Sequence, residues 1–287
     1  MKFRLASSHP RTPAAALLLL ALALCPAAMA ASAEISQPAL RPGDLLRQAV
    51  TNENTSPGDD YYTWMDRLQK PRGSVTKLMV NTPQGILART VAFNDKTLSA
   101  EERQQDDDRI DRMLDPAKMR EKAGKQKDDQ HHIERLLKAL PDAFLCQYSP
   151  AAHPDRTLRL ECSPNPAFAP PNYESQVLQG MNVVVVIDRD DKRISRIEGT
   201  LFKDVTFGWG FLGRLNRGGH IEITQSKVAG KHWGITRMKL VFDGRVIVVK
   251  SLHIEETESS WAYRPVPGMT VQQALQFLRN TSAPLNP

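Results

Sequence analysis

The chain has 287 residues, of which 41% are hydrophobic and 24% charged, a balance that is ordinary for a globular protein with a core. Its 38 lysine and arginine residues exceed its 32 acidic residues by six, and the surplus is spread along the chain. So mild a positive charge is not typical of a nucleic-acid-binding protein, and we expect no nucleic-acid partner.

The first 30 residues have the layout of a secretory signal peptide. Basic residues precede an apolar run at 14–25, and Ala28-Met29-Ala30 offers the small side chains that a signal peptidase accepts. We predict cleavage after Ala30 or Ala33 and export to the periplasm of a bacterium with two membranes. Lipid attachment at Cys25 is the less favoured alternative, because Leu24 before it is larger than a lipid-attachment motif prefers.

The rest of the chain is predicted to be soluble and not membrane-spanning. Its longest apolar run, Val183 to Ile187, has the length of a strand rather than of a spanning helix. After the signal peptide at 1–30, we expect a spacer with a short helix at 31–58 and a single β-rich domain at 59–287.

The first half of the chain predicts a helix, a strand meander and a helical insertion. Asp44 is the expected cap of a helix that ends at Asn52. Three strands follow, separated by short Pro- and Gly-containing turns: Tyr61–Gln69, Ser74–Asn81 and Ile86–Asn94.

The helical insertion at 99–140 begins with a capping box formed by Ser99 and Glu102. Its middle, 104–130, is highly charged, which favours a solvated face, with a partner-docking arm as the alternative. Only its end shows an apolar stripe with helical spacing, made by Ile133, Leu136, Leu137 and Leu140.

Two cysteines remain after the predicted cleavage, Cys146 and Cys162. They lie in two short strand-like runs around a Pro-containing turn, so a hairpin would bring them opposite each other. In an oxidising compartment such a pair is usually bridged, and we predict a structural disulfide.

Strand signals dominate the remainder of the chain. Val183–Asp188 and Arg193–Leu201 flank an acidic turn, and Asp243-Gly244 is predicted to turn between the last two strands. Thr270 is the expected cap of a final helix that ends near Leu278. With roughly ten strands expected, the fold class is mainly β with helices (α+β): a curved antiparallel sheet or unclosed barrel with a helical lid.

The most unusual segment runs from Phe207 to Gly219 and alternates bulky apolar residues with glycines. Its side chains either pack the core or line the mouth of an apolar cavity. The candidate ligand-binding residues are Trp209 and Phe211 from this segment, Leu87, Val91 and Phe93 from the third strand, and Arg214 for an acidic head group.

The sequence contains none of the nucleophile, phosphate-loop, dinucleotide or zinc-helix motifs that we sought, so no enzyme and no cofactor is predicted. One metal hypothesis remains. Strand alternation places His220 with Glu222, and His253 with Glu255, on one face of their strands. If the four side chains converge, they form a metal site and make a metal-dependent hydrolase possible.

The hairpin from Val183 to Glu198 resembles the late hairpin of the LolA/LolB-like lipoprotein-carrier superfamily. The Phe207–Leu215 run also looks like one found in exported bacterial proteins of unassigned function. The LolA-like resemblance implies an unclosed antiparallel barrel whose opening is covered by helices and which binds lipid or acyl chains. No ligand-binding residue of that superfamily is matched to a position here.

The leading functional hypothesis is a non-enzymatic periplasmic carrier for a lipid or acylated ligand. The alternative is a cell-envelope interaction protein with a packed barrel and a helical insertion that docks an envelope protein. The metal-dependent hydrolase ranks third. A cavity separates the first two hypotheses, because the carrier requires one and the packed barrel does not.

Overall fold

The computed structural model describes residues 40–53, 61–112, 115–150, 156–207, 213–230, 232–246 and 250–281. The predicted signal peptide therefore lies outside the described residues. The helices are α1 (Pro42–Glu53), α2 (Ala100–Arg112), α3 (Pro116–Ala143) and α4 (Val271–Asn280), with a short 3-10 helix at Glu174–Gly180.

Thirteen strands are described, three more than expected from the sequence. They are β1 (Tyr61–Lys70), β2 (Gly73–Thr82), β3 (Gly85–Phe93), β4 (Lys96–Thr97), β5 (Phe144–Tyr148), β6 (Thr157–Pro164), β7 (Met181–Asp188), β8 (Ile194–Leu201), β9 (Val205–Phe207), β10 (Gly213–Leu215), β11 (His220–Ala229), β12 (His232–Val246) and β13 (Lys250–Val266).

The strands form one antiparallel sheet in the order β4-β3-β2-β1-β13-β12-β11-β8-β7-β6-β5, and off this order β10 pairs with β12 and β9 pairs with β10. The order places β1 between β2 and β13, so the first and last described strands are neighbours inside the sheet. Strands β4 and β5 end the order and are not paired with each other. The predicted fold class, α+β with an unclosed antiparallel sheet, is confirmed.

Strand register assigns the side chains to two faces. Residues directly opposite each other share a face, and one row of such pairs crosses the sheet. We call this side the inner face; the row consists of Val185, Ile197, Ile223, Met238, Glu258, Leu68, Val75 and Phe93.

Each face carries its own core. On the inner face at β5–β8, α1, the end of α3 and the 3-10 helix cover Val185, Ile187 and neighbouring apolar residues. On the opposite, outer face at β1–β3, α4 covers Met65, Leu78 and Val80. Alternation along each strand produces this division, because Met65 and Leu68 are an odd number of residues apart. The inner face at the centre of the sheet is not covered by either core.

The helical insertion covers the exposed edge of β3. Gln126 bonds to both main-chain groups of Ile86, donating to the carbonyl at 3.1 Å and accepting from the amide at 3.0 Å. Asp106 accepts from the Thr90 amide at 3.2 Å, and Arg109 donates to the Ala88 carbonyl at 2.8 Å. These side chains satisfy main-chain groups of the edge strand that would otherwise be free to pair with another strand.

This contact corrects two expectations for the insertion. The charged middle was expected to be solvated, yet Asp106 and Ile110 are buried, the latter beside the α4 core. Conversely, Ile133 of the predicted apolar stripe is 60% exposed. The sequence predicted packing against the rest of the fold only at the end of the insertion. That prediction relied on a hydrophobic stripe, and polar side chains that hydrogen-bond to a strand edge do not contribute to such a stripe.

The predicted turn at Asp243-Gly244 is wrong, since β12 continues to Val246 and β13 begins at Lys250. Asp243 lies opposite His253 within the ladder. Gly244 is instead a point of close approach: a Cβ there would lie 2.1 Å from the carbonyl oxygen of Arg214 on β10. Glycine thus serves strand packing at this position rather than a turn.

The helix caps agree only in part with the sequence. Thr270 caps α4, accepting from the Gln273 amide at 3.3 Å in a complete capping box, as predicted. The capping box of Ser99 and Glu102 at α2 is also present. Asp44 does not precede α1 but lies in its first turn, because the helix begins at Pro42, whose fixed φ suits a first position.

The predicted disulfide is present between Cys146 and Cys162, whose Cα atoms lie 4.1 Å apart as directly opposed residues of β5 and β6. It ties the edge strand β5 to the sheet. Among the described helices, none is both long and apolar enough to cross a membrane.

Candidate ligand-binding site

The centre of the inner face carries apolar side chains that are only half-buried. They come from β1, β2, β11 and β12, and they are Leu68, Val75, Ile223, Met238 and Leu240. The same face at β6 and β7 is fully buried, with Leu160 and Val185 at no more than 1% exposure. The open side of the sheet therefore presents an apolar surface that the described helices do not bury.

Helix α3 spans this open side. Near its beginning Met119 packs against the α4 core, and near its end Leu136 and Leu137 pack against the α1 core. With 28 residues, the helix is about 42 Å long at 1.5 Å per residue. Both of its ends are anchored, Gln126 bonds to the edge of β3, and the stretch after Gln126 borders open space.

Two adjoining cavities lie between α3 and the sheet. The larger, of about 980 Å³, is bounded by α3 from Ala123 to Leu137, by the β2–β3 turn and by Gln225 and Ile235. The smaller, of about 480 Å³, lies over β1, β2, β12 and β13. They share Gly85, Ile86, Gln130 and Ile235, and we call the two together the cleft. Each has the size of a small-molecule site, about 300–1,000 Å³.

Aromatic rings form one wall of the cleft. Trp64 and Tyr263 stack with ring centres 5.8 Å apart, and Tyr62 stacks on His232 at 3.9 Å. The Tyr263 hydroxyl donates to the Ile235 carbonyl at 2.7 Å, and burial raises the pKa of Tyr263 to about 12. The phenol therefore stays neutral, and the wall combines broad apolar area with fixed orientation.

A pair of carboxyl groups lies at the floor of the cleft. Asp66 is 9% exposed and accepts from the Ser260 hydroxyl at 3.0 Å. Glu258 lines the cleft and lies diagonally across the β1–β13 ladder from Asp66, since Glu258 is opposite Leu68 and Asp66 is opposite Ser260. Burial, together with the neighbouring Asp66, raises the pKa of Glu258 to about 7. Glu258 therefore takes up a proton near neutral pH.

This pair predicts a pH-dependent stability. Because the pKa of Glu258 rises from 4.5 to about 7 on folding, the folded state binds more protons than the unfolded state between these values. Stability therefore falls as pH rises through that window and is constant above it. We expect Glu258→Gln to remove about 1–2 kcal/mol of this fall, after allowance for solvent screening.

Urea unfolding from pH 4.5 to 8 measures the effect. Glu255→Gln is the matched control, since Glu255 is on the same strand but on the outer face and 59% exposed. If both variants keep the wild-type pH dependence, the raised pKa of Glu258 is refuted.

The predicted cavity-lining residues that the structure describes do not line the cleft. Trp209 and Phe211 lie outside the described residues. Leu87 is 1% exposed within the α4 core, and Val91 packs against that core. Phe93 is on the inner face but does not border the cleft. Arg214 forms an ion pair with Asp204, which also accepts from the Arg217 amide at 2.7 Å.

The four residues of the metal hypothesis do not converge. His220 and Glu255 both lie opposite Val241, one on each side of β12, which puts their strands about 10 Å apart. His220 contacts Thr200 at 3.1 Å, and His253 contacts Asp243 at 2.7 Å. Within the described ranges, no group of three His, Cys, Asp or Glu side chains has metal-binding geometry. The metal-dependent hydrolase hypothesis therefore loses its site.

Sequence reasoning missed the cleft residues Trp64, Asp66, Glu258 and Tyr263. One signal was present in β1, where Asp66 interrupts an apolar run in the middle of a predicted strand. An acidic residue at such a position requires a partner, which is Ser260 here. Glu258 and Tyr263 were missed because the last strand was expected to end at Ile254, whereas β13 extends to Val266.

Neither a family model nor a curated protein matches the chain. Among solved structures it is similar to a LolA superfamily protein from Nitrosomonas europaea, with 9% identity, a TM-score of 0.29 and coverage of 80% of this chain and 96% of that one. It is also similar to an outer membrane lipoprotein-sorting protein domain from Vibrio parahaemolyticus, with 10% identity, a TM-score of 0.30 and coverage of 80% and 97%.

A third similar structure is a DUF1329 family protein from Desulfovibrio piger, with 11% identity, a TM-score of 0.28 and coverage of 79% of this chain and 94% of that one. With TM-scores below 0.5 we base no functional argument on these structures, and the proposal below rests on the geometry of the cleft.

Proposed function

We propose that the protein is a non-enzymatic carrier of the cell envelope that holds an apolar or acylated ligand in the cleft. The observation that carries this proposal is the apolar wall of the cleft between α3 and the sheet, formed by Trp64, Tyr263 and the partly exposed Ile235. A folded chain gains about 25 cal/mol for each Å² of apolar surface removed from water. A ligand chain that covers this surface supplies burial that the described helices do not.

The shape of the site suits a long, flexible ligand. The cleft is an extended space rather than a closed pocket around one point, because its two cavities adjoin at Gly85, Ile86, Gln130 and Ile235. The larger cavity is more polar, and its lining includes Lys127, Asp129 and Glu134. Aromatic and apolar side chains of the smaller cavity provide affinity without strict geometry, with Gln130, Ser260 and Glu258 as polar contacts. Such a lining suits binding of an acyl chain better than catalysis.

The compartment is part of the proposal. A chain that begins with a signal-peptide layout and carries a disulfide suits the oxidising periplasm. The interaction-protein alternative has less support, because a packed barrel would leave no cleft. Part of the insertion that was to dock a partner is occupied with the edge of β3.

Titration of the mature protein with a fluorescent long-chain fatty acid tests the proposal. We expect saturable binding that Ile235→Asp weakens by about tenfold or more, because a charge buried beside an acyl chain costs at least about 1.4 kcal/mol. Ile235 is 42% exposed and borders both cavities of the cleft, so its replacement leaves the folded core intact.

Leu145→Asp is the matched control. Leu145 is 57% exposed and borders a separate cavity beside the disulfide, at the β5 end of the sheet. Equal weakening by both variants, or no effect of Ile235→Asp, would place the ligand elsewhere and contradict the proposal.

A further inference from the structure

A strongly basic cavity lies where the end of α2 meets the beginning of α3. Its volume is about 380 Å³, and its lining is five cations and one carboxylate: Arg109, Arg112, Lys118, Glu121, Lys122 and Lys125. We call it the cationic pocket. It differs in character from the cleft, whose lining is mainly apolar and neutral polar.

The single carboxylate does not neutralise the pocket. Glu121 pairs with Lys125 at 2.7 Å, one helical turn away. Arg109 pairs with Asp106 at 2.7 Å, outside the lining. Within the part of the chain that the structure describes, Arg112, Lys118 and Lys122 form no ion pair at 4 Å or less. Arg112, Lys118 and Lys122 are therefore uncompensated by ion pairs, and of the three Lys118 is the one whose charge lowers the pKa of Glu121.

Lys122 is the least exposed of these three. Burial lowers its pKa, and the nearby charges of Arg109 and Lys77 lower it further. Placing a half-buried cation beside two others costs free energy, which an anion in the same space would recover. The pocket is thus electrostatically complementary to a multiply charged anion.

Helix α3 connects the cationic pocket to the cleft. Lys122 and Lys125 line the pocket, and Gln126, one helical turn after Lys122, lines the larger cavity of the cleft. The pocket and the cleft are therefore neighbours along α3.

From this juxtaposition we propose that the cationic pocket binds a phosphate group, the head group of the amphiphile whose chain lies in the cleft. The proposal rests on the function proposed above, of which it specifies the ligand class. A phosphate offers several acceptor oxygens to the three uncompensated cations, and arginine and lysine both recognise it through charge-assisted hydrogen bonds. The same chemistry would accept free phosphate.

Calorimetric titration with three probes tests the site: dihexanoyl phosphatidylglycerol, dihexanoylglycerol, which lacks the phosphate, and inorganic phosphate. We expect Lys122→Gln to weaken phosphatidylglycerol binding about tenfold while binding of dihexanoylglycerol is unchanged. Lys118→Gln, at an exposed position where folding is not at risk, should act in the same direction.

Lys138→Gln is the control, because it removes the same charge from an exposed position of α3 that borders neither the pocket nor the cleft. If Lys122→Gln weakens binding of phosphatidylglycerol but not of inorganic phosphate, the natural ligand is a lipid head group. If it weakens binding of inorganic phosphate as well, free phosphate is the source. Equal weakening by Lys138→Gln overturns the site, as does phosphatidylglycerol binding no tighter than dihexanoylglycerol.

The probes separate the two proposals. If dihexanoylglycerol binds and the phosphate makes no difference, the cleft stands and the cationic pocket fails. If phosphate binding depends on Lys122 but dihexanoylglycerol does not bind, the pocket stands and the carrier function fails. Absence of binding by all three probes overturns both.

Discussion

Leu278→Ala should lower the free energy of unfolding by about 2–5 kcal/mol, the range for removing a fully buried leucine side chain. Leu278 is 0% exposed and belongs to the core between α4 and the outer face at β1–β3. The loss combines the missing apolar contacts with the cavity left behind. The cavity persists because α4 is also held by Arg89, which donates to the Leu278 carbonyl at 3.1 Å. The helix therefore has limited freedom to collapse into the space.

Chemical unfolding with urea measures this loss. Gln276→Ala is the control on the same helix, at an exposed position where alanine favours the helix. We expect it to change stability by no more than about 0.5 kcal/mol. Equal stability of Leu278→Ala and Gln276→Ala would show that α4 is not docked on the sheet.

Removal of the disulfide should cost about 3 kcal/mol by the chain-entropy relation for a loop of about 15 residues. The bridged cysteines are 16 positions apart in sequence, and the bridge holds β5, which pairs only with β6 in the sheet order of the described strands. We expect the Cys146→Ser/Cys162→Ser double variant to unfold at a lower urea concentration than the wild type.

Reduction of the wild type provides the control for this prediction. A thiol reductant should lower wild-type stability to near that of the double variant and leave the double variant unchanged. If the reductant has no effect on the wild type, the two cysteines are not bridged in solution.

The sequence predicted much of the fold because its signals were local. The capping box of Ser99 and Glu102 and the cap at Thr270 gave the starts of α2 and α4, and short turns and strand alternation gave most strands within a few residues. The disulfide followed from two cysteines placed across a short hairpin. These features depend on neighbouring residues, which a single sequence displays.

The cleft was not predictable in the same way, because its residues come together only through strand order. Trp64 and Tyr263 are far apart in sequence, yet they stack because β1 pairs with β13. Likewise, Asp66 meets Glu258 and Ser260 through that same ladder. The third-strand residues Leu87 and Val91 were assigned to the cavity because both faces of the strand looked apolar, and α4 turned out to cover their side.

The side chains that cover the edge of β3 could not be predicted from the hydropathy pattern either. Gln126, Asp106 and Arg109 lie in a region whose composition indicates a solvated helix. Their function in the fold is to satisfy the main chain of an edge strand, which hydropathy does not record. Polar side chains that hold α2 and α3 at this edge also position α3 over the cleft, so the insertion serves the proposed site.

Native mass spectrometry tests the carrier function most directly. The native mass of the mature protein, purified gently from the periplasm of its own host, is compared with its mass after denaturation. We expect an excess mass of lipid size that is lost on denaturation and is reduced in Ile235→Asp but not in Leu145→Asp. A bare mass equal to that of the disulfide-bonded chain, with no uptake of added lipid, would contradict it.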